Sequence, residues 1–173
     1  MSRYPLFDPE FLDELERRIA RPWQGTAWRV TVGSTEPLQT NSRGARWNPP
    51  GVEALYTSLN RDAAIAEVEY LLSQQPVPVT APRFVSELNV HLSAVVDLSH
   101  PEETDSLDWS HEGLLGENLA LPQKVGAAAE FLGVAGILVP SARANGTNLV
   151  ILMKNQSHID LVQLIATVPA VGS

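Results

Sequence analysis

Apolar residues at Phe11, Leu12, Leu15 and Ile19 recur at helical spacing directly after Asp8-Pro9-Glu10. The spacing predicts a helix with Asp8 as N-cap and Pro9 at its first position, running to about Arg21-Pro22. Residues 27–32 (AWRVTV) are rich in β-formers and predict a short strand with Arg29 near its centre. From 33 to 51 the periodicity vanishes and Ser, Asn, Gly and Pro accumulate, which predicts a long loop of the kind that is usually functional or disordered. Residues 54–58 read as a strand, and Asn60 can cap a helix from 61 to about 73. Strand-like runs follow at 84–90 and 94–98. The polar, acidic stretch 100–121 has room for a short helical turn without a defined place. A helix over 123–132 is closed by Gly133, a left-handed cap, and runs at 136–139, 148–153 and 159–165 complete the strands. No repeat and no linker divides the chain. Residues 1–173 therefore read as a single α+β domain with a helical N-terminal segment over 1–22.

Composition narrows the chemistry. A chain of 173 residues and 18.8 kDa, 44% hydrophobic and 18% charged, has the makings of a globular core. It contains no cysteine, which removes thiolate catalysis, Cys-based zinc sites and disulfides and fits a reducing cytosol. The N-terminus turns acidic within ten residues, unlike a signal peptide, and no apolar run nears the roughly 20 residues that span a bilayer. The expectation is a soluble, cytoplasmic protein without membrane contact. A net charge of −8 and a pI near 4.9 argue against direct nucleic-acid binding. Ten of the twelve basic residues are nonetheless arginine, whose fork grips a phosphate locally. Nucleotide-binding glycine fingerprints, a P-loop, H-E-x-x-H and G-x-S-x-G are all missing. His91, His100, His111 and His158 lack ligand spacing, so no metal is expected. The sequons at Asn145 and Asn155 read as turns.

Several stretches stand out together: Trp28-Arg29-Val30, then Ser42-Arg43-Gly44-Ala45-Arg46-Trp47-Asn48-Pro49-Pro50-Gly51, then Ala54-Leu55-Tyr56-Thr57-Ser58 and Ala64-Ile65-Ala66-Glu67-Val68. Far downstream lie Gly136-Ile137-Leu138-Val139-Pro140-Ser141-Ala142-Arg143 and Asn148-Leu149-Val150-Ile151-Leu152. Over residues 27–152 this pattern resembles the RES-domain family, the toxin half of RES–Xre toxin–antitoxin pairs. It departs from that family at Ala45, where a second glycine is usual, and at Leu71, where a histidine often stands.

The resemblance implies a compact fold similar to diphtheria-toxin-type ADP-ribosyltransferases. It implies cleavage of the nicotinamide–ribose bond of NAD, which is consumed as substrate, without a metal. ADP-ribose would pass to a protein side chain, phosphate or water, and an Xre-type helix-turn-helix antitoxin would block the site. An inactive binding module that keeps the NAD pocket, or an assembly subunit, is the alternative.

The residue chemistry suits that reaction. The resemblance assigns Glu67 to the oxocarbenium-like ribose, and Arg29 and Arg46 to the pyrophosphate. Tyr56 offers a flat face to nicotinamide or a hydroxyl to the ribose. Ser141 and Asn148 orient carboxamide or ribose by neutral hydrogen bonds. Each has a plainer reading. Arg29 could be a strand residue ion-paired across a sheet, Arg46 could stack on Trp47, and Tyr56 could be core. Ser141 could be a turn or cap residue, and Asn148 a turn remnant. Glu67 sits among Ala63, Ala64, Tyr70 and Leu71, yet Glu69, bordered by Ile65, Ala66 and Leu72, looks as apolar; periodicity does not choose between them, and the family spacing chooses Glu67.

Overall fold

The computed structural model describes residues 7–101, 109–143 and 145–170. Asp8 caps α1 (Pro9–Glu16), its side chain accepting from the Glu10 N–H. The helix ends five residues earlier than its apolar stripe predicts, because Ile19 belongs to a strand instead. β1 (Ile19–Ala20) pairs with β5 (Val95–Asp97), Ile19 opposite Val96, and Pro22 disfavours helical backbone at Arg21. β2 (Trp23–Val32) starts four residues earlier than predicted and is paired along its whole length with β4 (Arg83–Leu92). β3 (Ala54–Ser58) and α2 (Arg61–Ser73) fall where the pattern puts them, and Asn60 caps α2 through the Ala63 N–H. The helical turn of the acidic stretch is α3 (His111–Leu115); residues 102–108 of that stretch lie outside the described residues. α4 (Ala120–Phe131) begins three residues early and ends before Gly133, which adopts φ +77° as the predicted cap. β6 (Gly136–Pro140), β7 (Thr147–Leu152) and β8 (Leu161–Pro169) follow.

Among the described residues, eight strands form one sheet in the order β1-β5-β6-β7-β3-β2-β4-β8, with β5 and β6 parallel and the other neighbours antiparallel. Together with the helices this is a mixed α/β architecture. One core lies where Val96, Ile137, Val139, Val150 and Leu152 meet Leu15, Leu114, Val125 and Ala128 from the helices. A second lies on the opposite face, around Leu55, Leu88, Val90, Leu149 and Ile151. The sheet curls to close that second core: a Cβ on Gly136 of β6 would stand 2.7 Å from Leu92 Cδ1 of β4, although three strands separate the two.

The curl has a weak seam. β2 and β3 share a single registered pair, Trp28 with Ser58, whereas β3 pairs with β7 at five positions. Beyond Trp28 the two strands diverge, and a cavity opens there. Among the described residues no helix is long and apolar enough to cross a membrane.

Candidate active site

At the seam the cavity measures about 530 Å³, within the range of small-molecule sites. It is walled by β2 and β3, by α2, by the 41–47 loop and by the turn after β6. Its electrostatics oppose those of the chain: the described residues lining it include Arg29, Arg46 and Arg143 but one carboxylate, Glu67, in a protein of net charge −8.

Arg29 points into the seam. Its guanidinium donates to the Tyr56 carbonyl at 3.3 Å and the Gln39 carbonyl at 2.8 Å, filling in where the β2–β3 ladder stops. No carboxylate pairs with it among the described residues, so the ion-paired reading fails. Its Nε is buried without a partner, and burial holds its pKa below the ordinary arginine value. It remains a cation at neutral pH, with a donor left for a ligand.

Arg46 does not lie on its neighbour Trp47, whose indole is buried in the first core. It reaches the carbonyls of Leu114 (3.3 Å) and Gly116 (2.8 Å) at the end of α3, where helical carbonyls lack partners. Burial first, then repulsion from Arg143, lower its pKa, against a smaller opposing pull from Tyr56.

The loop carrying Arg46 is fixed from below. Asn48 is fully buried and donates to the carbonyls of Asn41 and Val52, while its Oδ1 accepts from the Tyr56 hydroxyl at 2.6 Å. The same hydroxyl accepts from the Trp47 N–H at 2.9 Å. The Tyr56 hydroxyl is thus engaged by the loop and leaves its ring, not its oxygen, for a substrate. Gly44, directly before Ala45, adopts the left-handed region at φ +108°, as do Gly33 and Gly51 at the ends of the loop; no residue other than glycine has positive φ among the described residues, so Ala45 in place of the family's second glycine is unstrained. α4 holds the loop as well. Gln123 Nε2 donates to the Ala45 carbonyl at 3.0 Å, and Gly126 lies so close under Trp47 that a Cβ there would sit 1.8 Å from the Trp47 carbonyl oxygen.

Tyr56→Phe should therefore act on the loop. Removing the hydroxyl leaves the Trp47 N–H and Asn48 Oδ1 unsatisfied and should lower stability by about 1–3 kcal/mol in urea unfolding. The phenol also gives a pH signature. Burial, against the opposing hydrogen bonds to Trp47 and Asn48 and the charge of Arg46, pushes its pKa up to about 12. The folded state holds that proton more tightly than the unfolded chain, so this stabilisation is complete below about pH 10 and is lost as pH rises toward about 12. Stability measured from pH 9 to 12 should fall less steeply in Tyr56→Phe; an identical slope would count against this account.

Glu67 lies on the inner side of α2, half-buried and facing the sheet. Asn148 pairs with Ser58 across β7–β3, and Ser58 with Trp28 across β3–β2, so the three share the face on which α2 rests. Asn148 Nδ2 donates to both carboxylate oxygens, at 3.0 and 3.2 Å, and the Ser141 hydroxyl makes a short hydrogen bond to Oε1. Asn148 Oδ1 is buried and unpartnered. Glu69, its rival in the pattern, is exposed and bridges to Arg83 Nε at 3.1 Å.

The structure brings Arg29, Arg46, Tyr56, Glu67 and Asn148 to one cavity; Ser141 stands behind the wall and reaches it through Glu67. Asn48 and Arg143 lie within the family motif, which gives them no task. Gln123 and Gly126 lie outside it, and a glycine inside a helical pattern is the one signal the sequence offers there. Leu71 lines the mouth, exposed. Among the described residues no three potential metal ligands cluster.

Comparison with known proteins agrees in kind. The RES domain family matches residues 17–170. Curated relatives named NAD(+) phosphorylase MbcT, from Mycobacterium bovis and Mycobacterium tuberculosis, are 28% identical over 177 aligned positions, covering 94% of this chain and 93% of each relative. A solved crystal structure of the Mycobacterium tuberculosis MbcT–MbcA toxin–antitoxin complex superposes with a TM-score of 0.81 at 26% identity, over 94% of this chain and 93% of that one.

Proposed function

This chain belongs to the RES-domain family, and from that premise we propose that it is the toxin of a toxin–antitoxin pair, cleaving the nicotinamide–ribose bond of NAD and passing ADP-ribose to an acceptor. The observation that carries the reading is the meeting, in a single cavity of dinucleotide scale, of one immobilised carboxylate and two arginines that have no ion pair among the described residues. The names of the MbcT relatives favour phosphate among the acceptors.

The chemistry follows from the donors and charges. Arg29 and Arg46 hold the pyrophosphate, their guanidiniums already oriented by main-chain carbonyls. Glu67 faces the ribose. As the bond to nicotinamide breaks, its pair of electrons neutralises the pyridinium and positive charge grows on the sugar, where a fixed carboxylate stabilises it without having to reorganise. Ser141 and Asn148 aim that carboxylate, and Asn148 Oδ1 accepts from a ribose hydroxyl or the carboxamide. The ring of Tyr56 gives nicotinamide a flat wall. The step calls for no metal, because its leaving group departs neutral.

The finer assignments belong to this proposal: a fold of the diphtheria-toxin ADP-ribosyltransferase type, an antitoxin of the Xre type, action in the cytoplasm on NAD and not on nucleic acid. The decisive test is to incubate the purified protein, free of its partner, with NAD and follow nicotinamide by chromatography. Stoichiometric release with loss of NAD is expected. A folded protein that binds NAD without turnover would be an inactive pocket module, and one that does neither would end the reading.

A further inference from the structure

The cavity holds more positive charge than a dinucleotide uses. Its described lining residues supply three guanidiniums and one carboxylate, and none of the three arginines is ion-paired among the described residues. In NAD the pyrophosphate is doubly negative and the pyridinium positive. Arg29 and Arg46 balance the first, and Glu67 faces the second. One cation, Arg143, is left over.

Arg143 differs from the other two. Arg29 and Arg46 are tied to main-chain carbonyls, whereas the Arg143 guanidinium has no hydrogen-bond acceptor among the described residues. It lies over the Tyr70 ring, 4.5 Å from the centroid, and is exposed at the mouth. Stacking fixes the plane of the fork and leaves its edge donors directed outward. Its backbone N–H donates to Ser141 Oγ at 3.4 Å, and that hydroxyl bonds Glu67. The free cation is therefore anchored two residues along the chain from Ser141, which aims the carboxylate. It is also near enough to Arg46 for the two to repel, and an anion between them would relieve that repulsion.

We propose that Arg143, with Arg46 beside it, holds a small tetrahedral oxyanion next to the reacting sugar and so decides whether ADP-ribose goes to that anion or to water. The inference rests on the NAD-cleaving reading above. With hydrogenphosphate as acceptor the step balances. A phosphate oxygen donates the pair that forms the new bond to the anomeric carbon. The pair of the breaking carbon–nitrogen bond passes to nicotinamide, which leaves neutral, and no proton has to move in that step. Water occupying the same position has no charge for Arg143 to hold and loses a proton on attack.

The test varies phosphate and NAD independently and counts ADP-ribose 1-phosphate against ADP-ribose by phosphorus NMR. In Arg143→Gln the KM for phosphate should rise about tenfold or more, as expected when a charge-assisted contact is lost. The KM for NAD should move much less, and the product should shift toward ADP-ribose. Arg143→Lys, which keeps the charge but not the fork, should recover part of the phosphate KM. Sulfate should compete with phosphate in the wild type and weakly in Arg143→Gln. The half-buried Arg61, paired with Asp62 and outside the cavity lining, serves as control through Arg61→Gln. Equal rises in both KM values would make Arg143 part of the pyrophosphate clamp and overturn the proposal, as would an unchanged product ratio. A wild type that releases nicotinamide but makes only ADP-ribose at any phosphate concentration also overturns it while leaving NAD cleavage intact. A wild type that releases no nicotinamide fails at the earlier step.

Discussion

Replacing Glu67 with glutamine is expected to slow nicotinamide release from NAD by roughly 10²–10³-fold, the loss typical when one preorganised partner of a transition-state charge is removed. The substitution is close to isosteric. Oε1 of the glutamate accepts from both Ser141 and Asn148, and a glutamine oxygen in that place accepts from both as well. Only the longer contact of Asn148 to the second oxygen, at 3.2 Å, is exchanged for a facing N–H. Stability should accordingly change by no more than about 1 kcal/mol, and NAD should still bind, because the arginines are untouched. Turnover, calorimetric NAD binding and urea unfolding on the same sample separate the two effects. Glu69→Gln is the matched control: it breaks a bridge to Arg83 that is half open to solvent, worth at most about 1 kcal/mol, and should leave turnover alone. If Glu67→Gln retains full turnover, the carboxylate is not at the reacting sugar.

The second large effect is expected from a glycine. In an ordinary exposed helix Gly→Ala stabilises by about 1 kcal/mol. At Gly126 the sign should reverse. The new Cβ would meet the Trp47 carbonyl oxygen at 1.8 Å and its carbon at 2.8 Å, both backbone atoms that cannot rotate away. Helix α4 and the loop would have to separate, taking with them the Gln123–Ala45 hydrogen bond and the core seat of Trp47. Overpacking of this kind costs about 1–3 kcal/mol or more, and the displacement shifts Arg46 off its carbonyls. Gly126→Ala should therefore lose stability in urea and raise the KM for NAD together. Gly133→Ala supplies the comparison, since Gly133 is not among the cavity-lining residues and a Cβ there meets nothing within 4 Å and suffers only the strain of φ +77°, about 1–2 kcal/mol. A Gly126→Ala protein as stable and active as the wild type would show that the loop is not seated on α4 in this way.

Particular residues mark how much of this was legible in the chain. Asn60 announced α2 and the run at 54–58 announced β3, because a cap and a β-rich stretch are decided by neighbours a few positions away. Ile19 misled for the same reason: it suits a helical stripe locally, but Val96, distant in the chain, claims it for the sheet. The family motif pointed to Arg29, Arg46, Tyr56, Glu67 and Asn148, which do share a cavity. It offered the Tyr56 hydroxyl to the ribose and Ser141 to the carboxamide or ribose, whereas in the fold that hydroxyl bonds the loop and Ser141 bonds Glu67 from outside the cavity lining.

What the amino-acid order determined by itself was most of the elements, the caps of α1, α2 and α4, the net acidic charge and the family to which the chain belongs. Only the tertiary structure seated Glu67 against Ser141 and Asn148, parted β2 from β3 after Trp28, pressed Trp47 onto Gly126 and left the Arg143 guanidinium stacked on Tyr70 without a hydrogen-bond acceptor among the described residues. The physical reason is range. Helix periodicity and capping are interactions over a few residues, whereas Glu67 meets Ser141 and Asn148 across 74 and 81 residues, and such meetings are set by strand register and by how a curled sheet closes.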